Sequence, residues 1–126
     1  MSRFIWICVA GAMGTGARYL VVLWAAQRFG ATFPYGTFIV NVTGCFMIAA
    51  IMHLATVNAW PGTVRAALTV GFLGGYTTYS SFNYETARLL EEGAFATALL
   101  NVVLTICSGF AAGGLGLLLA RQLAGR

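Results

Sequence analysis

Residues 71–82 read GFLGGYTTYSSF. They fall inside an apolar run long enough to cross a membrane. Yet this interval holds the adjacent glycines Gly74 and Gly75, the hydroxyls of Thr77, Thr78, Ser80 and Ser81, and several aromatics. Glycine is a poor helix-interior residue, by up to about 1 kcal/mol relative to Ala. The stretch therefore predicts a broken third span, interrupted at Gly74–Thr78. In hydrocarbon a broken helix leaves carbonyls unpaired, at several kcal/mol each. Such a break persists only where protein, water or an ion satisfies those groups. Carbonyls that face a cavity are hard oxygen ligands for a cation, and two copies meeting at a two-fold axis would cage one ion. A close glycine-mediated contact without an ion is the other reading.

The surrounding sequence sets the solvent. Of 126 residues, 60% are hydrophobic and 8% are charged. A water-facing surface needs roughly 25–35% charged residues, so the chain reads as an all-α integral membrane protein. Four spans can be drawn. They run from about Phe4 to Ala26, Thr37 to Ala55, Val64 to Leu90 and Phe95 to Leu119. Each meets the roughly 20 residues that a crossing requires. The loops QRFGATFPYG, TVNAWPGT and EEGA carry the breakers. No linker or second domain interrupts residues 1–126. Arg3 before an apolar stretch resembles a signal peptide, but the run continues without a clean cleavage pattern, which predicts a retained first helix.

Charge narrows the classes further. The net charge of +4 comes from seven scattered arginines against three glutamates. Nucleic-acid binding calls for a clustered patch, so that class is set aside, and an anionic membrane surface or anionic substrate fits better. Four spans put Arg3, Arg65, Arg121 and Arg126 on one side, and Arg28 and Arg88 on the other. So weak a bias permits insertion in either orientation, and opposed copies can then pair about an axis in the membrane plane. Cys8, Cys45 and Cys107 each sit mid-span outside any metal-binding spacing and read as small core residues. No nucleophile–base pair, metal cluster or phosphate loop supports an enzyme.

Polar residues within the spans are the candidate site. Arg18 reads either as a snorkelling cation or as a fixed positive charge drawing anions into a vestibule. Gly11, Gly14 and Gly16 allow a partner helix to approach closely. Asn41, within a formal NVT sequon at bilayer depth, is either interhelical glue or an amide donor aimed at an anion. Asn101, Thr105 and Ser108 follow i, i+4, i+7 spacing on one face, which serves either interhelical bonding or the wall of a hydrophilic path. His53 reads as interfacial. Tyr79 and Phe82 share a helical face, and their electropositive ring edges suit an anion, although generic core packing explains them too.

These residues carry a resemblance. GFLGGYTTYSSFNYET resembles the third-helix signature of the Fluc (CrcB-type) fluoride channels. GAMGTGARY resembles that family's glycine-rich first-helix segment ending in Arg-Tyr, and GTFIVNVTGCF its second-helix motif. The three motifs in order cover essentially the whole chain. The resemblance implies a dual-topology antiparallel homodimer in the bacterial inner (cell) membrane, surrounded by lipid, with two passive fluoride pores. It implies that Asn41, Tyr79, Ser80, Ser81 and Phe82 line the pore. Arg18 and Glu85 match vestibule or supporting positions, with Thr105 and Ser108 beside them. The carbonyls of Gly74 and Thr77 match a central structural sodium site, two from each subunit. The chain departs from the family at Tyr79, where the pattern has Phe, and at Asn101, where a Tyr is often found nearby; no family role is carried onto Asn101. Two rivals remain, a small multidrug antiporter and a non-transporting scaffold subunit. The first requires a carboxylate in the first span, where this chain has Arg18.

Overall fold

The computed structural model describes residues 2–125. The elements are α1 (Ser2–Phe29), α2 (Tyr35–Val57), α3 (Gly62–Ala66), a π-helical stretch (Ala67–Leu73), α4 (Gly74–Tyr76), α5 (Tyr79–Glu91) and α6 (Phe95–Leu123). No strand occurs among the described residues. Three helices, α1, α2 and α6, are long and apolar enough to cross a membrane. The fourth crossing is assembled in pieces from α3 to α5, none of which spans alone. The expected spans thus hold, with ends that match or extend past the expected ones by up to four residues. The chain is a multi-pass membrane protein.

Its surface fits that solvent. Phe4, Trp6, Leu20, Trp24, Leu99 and Leu115 are all exposed, a pattern that would be costly against water and is ordinary against acyl chains. The core is correspondingly thin. Val40, Leu73 and Tyr76 are buried together, with Ala17, Val21, Met47, Ile51 and Phe72 packed against them.

Helices here associate through backbone contact, as expected where lipid removes the hydrophobic drive between them. A Cβ at Gly14 would collide with the Phe72 carbonyl, and one at Gly75 with the Gly11 carbonyl; at Gly116 it would strike the backbone of Phe46. Gly14→Ala should therefore destabilise the detergent-solubilised protein by about 1–3 kcal/mol through overpacking. Gly16→Ala, with open space around it, should stay within about 0.5 kcal/mol. Thermal unfolding of the pair checks this, and equal melting of both variants would contradict the packing argument. At the other end of the broken span, Gly93 (φ +75°) closes α5. Ala94 N–H bonds to Leu89 O at 2.8 Å and Gly93 N–H to Leu90 O at 3.1 Å, the paired pattern that turns the chain into α6.

The break lies in the later part of the expected interval. Gly74 has helical dihedrals (φ −63°, ψ −36°) and belongs to α4. The extended residues are Thr77 (φ −87°, ψ 160°) and Thr78 (φ −152°, ψ 117°). The expected interval Gly74–Thr78 thus contains the break and narrows to Thr77–Thr78. The physical reason is a division of labour. Gly75 admits α1 closely, whereas Thr77 ends the helix by bonding Leu73 O through both its N–H (3.0 Å) and its hydroxyl (2.9 Å).

Candidate functional site

The break is held by a side chain from another helix. Thr78 N–H donates to Asn41 Oδ1 at 2.8 Å, and Asn41 Nδ2 donates to Thr78 O at 2.9 Å. One primary amide thus satisfies both orphaned groups of one peptide residue. The structure assigns Asn41 a definite glue role. The amide still has a second N–H, with no other partner among the described residues.

Thr78 also starts α5. Its hydroxyl oxygen accepts Ser81 N–H at 3.2 Å, the N-cap bond. The Ser81 and Ser80 hydroxyls lie 3.1 and 3.2 Å from the same oxygen. The four hydroxyl residues of the opening stretch therefore first serve to end one helix and begin the next.

Because α5 is helical, its side chains fan into two grooves. The larger, about 1010 Å³, is lined by Asn41, Gly74, Thr77, Thr78, Tyr79 and Phe82, with Asn83, Thr86 and α6 residues including Thr105 and Phe110. The Tyr79 and Phe82 rings are 5.9 Å apart at 50°. The smaller groove, about 450 Å³, is lined by Thr37, Ser80, Ser81, Tyr84, Glu85 and Arg88 beside the α1–α2 loop. Asn41, Tyr79 and Phe82 are thus brought together, while Ser80 and Ser81 face the neighbouring groove; Thr78 joins the two sets. Gly74 and Thr77 share the larger groove with the aromatics.

The supporting residues have specific partners. Arg18 is half-buried and donates from Nη1 to Thr77 O at 3.4 Å. Glu85 Oε1 accepts from Thr37 Oγ1 at 2.8 Å, and Oε2 is buried with no partner in the chain. Thr105 donates to Asn101 Oδ1 at 3.4 Å. Ser108 is half-buried and lines neither groove. The three-residue stripe on α6 is therefore only partly joined.

Thr86, Thr43 and Tyr76 were not singled out from the sequence; Asn101 was, from its spacing, and its interhelical partner is Thr86. Asn101 is 1% exposed and donates to Thr86 Oγ1 at 2.9 Å, which donates to Phe82 O at 2.7 Å. The chain of bonds ties α6 to the backbone of Phe82. Tyr76 pairs with Thr43 Oγ1 at 3.0 Å. The signal that could have found Thr86 is its i, i+4 spacing from Phe82.

As a whole, the larger groove joins one free amide donor, two aromatic rings and the carbonyl-bearing break. That arrangement suits a small anion passing beside a site for a hard cation. Gly74 and Thr77 fit a sodium ion in kind. The Thr78 N–H that would extend the helix onto Gly74 O is diverted to Asn41, and Ser81 N–H is diverted from Thr77 O to the Thr78 hydroxyl. Both carbonyls are hard oxygen donors left without a backbone partner beside one groove.

Comparison with known proteins identifies a family. The family described as "CrcB-like protein, Camphor Resistance (CrcB)" matches residues 5–117. A protein of Sorangium cellulosum (strain So ce56) named fluoride-specific ion channel FluC is 48% identical over 124 residues, covering 98% of each chain. Proteins of the same name from Anaeromyxobacter dehalogenans (46% identical, 99% of this chain and 100% of that one) and Geobacter metallireducens (45%, 98% and 100%) match over similar lengths.

Proposed function

The chain belongs to the CrcB-like family, and from that premise we propose that it is a fluoride-selective channel, passing fluoride out of the cell down its electrochemical gradient. The observation that carries the reading is the unspent N–H of Asn41, held rigidly by Thr78 in the same groove as Phe82 and Tyr79. Fluoride is small and tightly hydrated. Its water shell must be replaced by several donors, strong enough to dehydrate it and weak enough to release it. One fixed amide and two ring edges supply such partial charges without a full cation in the path. Hydrogen fluoride crosses membranes as the neutral acid and dissociates in a more alkaline cytoplasm, so a passive route suffices for export.

A second copy completes the proposed route. Tyr79 is 78% and Phe110 81% exposed in the single chain, beside polar backbone at membrane depth. Lipid cannot satisfy that lining. We assign the cover to an antiparallel homodimer in the bacterial inner membrane, with two pores. At its centre the Gly74 and Thr77 carbonyls of both subunits would hold a structural sodium ion, which would supply charge to fix the two breaks against each other.

Of the rivals, the antiporter reading lacks its first-span carboxylate: α1 carries Arg18, and Glu85 lies on α5 with one carboxylate oxygen bound to Thr37. The scaffold reading is separated by physiology. Expression in bacteria lacking their own fluoride exporter should restore growth at inhibitory fluoride. Membrane-inserted protein that leaves the cells hypersensitive would contradict the channel.

Tyr79 supplies a finer test. Its phenol can donate to fluoride and deepen a well on the path. Tyr79→Phe should raise maximal fluoride efflux by about two- to tenfold, the kinetic equivalent of one ordinary hydrogen bond. Efflux unchanged or lowered would exclude the hydroxyl as a trap.

A further inference from the structure

The Thr77 carbonyl stands between two cations if sodium is bound there, and the structure shows one of them. Arg18 Nη1 lies 3.4 Å from Thr77 O. The two residues are 59 apart in sequence, so tertiary packing sets the contact. Gly14, one turn before Arg18 on α1, lies directly against the Phe72 carbonyl and Tyr76 N, and this close approach fixes the register of α1 on the broken span. No residue of α1 lines the larger groove. The guanidinium therefore reaches the oxygen from the α1 side, while Thr77 itself borders the groove. A carbonyl oxygen has two lone pairs and can take a partner on each side.

The guanidinium is permanently charged. Among the described residues its charge is not neutralised, because the ion pair there joins Arg88 and Glu92. We propose that Arg18 sets the cation affinity of the break, sharing the Thr77 carbonyl with the bound ion and holding the site weak. The proposal rests on the sodium reading above and goes beyond it by assigning the tuning to one side chain. Before a cation arrives, the same contact satisfies a carbonyl that the helix cannot.

The expected size follows from Coulomb's law. Two unit charges about 5 Å apart repel even at the dielectric of water by enough to shift a binding constant about fourfold, and by more at the lower effective dielectric of a protein. The test is the sodium dependence of thermal stability for the purified protein. Sodium chloride is exchanged against N-methylglucamine chloride at constant ionic strength. Arg18→Gln should lower the half-saturating sodium concentration by at least about fourfold. Arg18→Met, also uncharged, carries the same expectation if the Gln variant is not recovered. Arg18→Lys, which keeps the charge, should stay within about twofold of wild type. An uncharged variant with an unchanged or higher sodium midpoint overturns the proposal. If wild type itself melts identically in both salts, the sodium reading falls and this inference with it, while the fluoride reading is judged separately by flux.

Discussion

Asn41→Asp should reduce fluoride efflux by at least about 100-fold. The substitution keeps the acceptor for Thr78 N–H but removes the donor to Thr78 O. It sets a carboxylate against a carbonyl and adds negative charge to the wall of the groove. A unit charge 4–5 Å from a passing anion, at an effective dielectric near 20, costs about 3–4 kcal/mol, and each 1.4 kcal/mol is tenfold in rate. Asn41→Ser separates charge from geometry. It removes the paired bond without adding charge, so its loss of flux should be smaller than that of the Asp variant. Proteoliposome efflux measured beside the elution volume of each variant distinguishes a blocked route from a misfolded protein. Full flux through Asn41→Asp would reduce Asn41 to helix glue alone.

The second large effect is expected at Phe82. Phe82→Ile keeps an apolar side chain and removes the electropositive ring edge. Losing one favourable contact to a charged species is worth about 2 kcal/mol, so efflux should fall about 30-fold. The backbone of Phe82 is held from α6 through Thr86 and Asn101, so the change is confined to the ring. Phe4→Ile, on the outer face of α1 where the ring is 70% exposed, is the control and should change flux less than about twofold. Equal rates for the two variants would remove Phe82 from the path.

The four crossings were legible because apolar runs of spanning length separated by Gly, Pro and Glu leave few alternatives. That a break lies in the third span was legible too, from glycine and hydroxyl content. Its exact place was not. Gly74 and Gly75 read as breakers from helix propensity, but a neighbouring helix converted Gly75 into a packing surface, and the hydroxyl and β-branch of Thr77 ended the helix instead. The bonds that build the site were hidden for a different reason. Asn41 and Thr78, Thr37 and Glu85, Arg18 and Thr77 are all distant in sequence, and a single chain carries no periodicity that pairs them. The division of α5 into two lined faces was readable in part. Ser81 and Glu85 are four apart, as are Phe82 and Thr86, and each pair faces its own groove. The serines were grouped with the aromatics by the family resemblance; in the single chain they line the neighbouring groove.

The same division gives the proposed route its shape. Thr78 stands between the grooves and touches both sets, through Asn41 on one side and Ser80 and Ser81 on the other. A side chain that caps a helix and anchors an extended peptide leaves little freedom where the two sets meet, and the proposed route would need such rigidity to reject a larger, less tightly hydrated halide.

Selectivity is therefore where the account is most exposed. Purified protein in vesicles loaded with equal potassium fluoride and potassium chloride, with a potassium ionophore to carry the counter-charge, should release fluoride rapidly and retain chloride at the level of protein-free vesicles. Release of both anions at similar rates, or of neither, would contradict it.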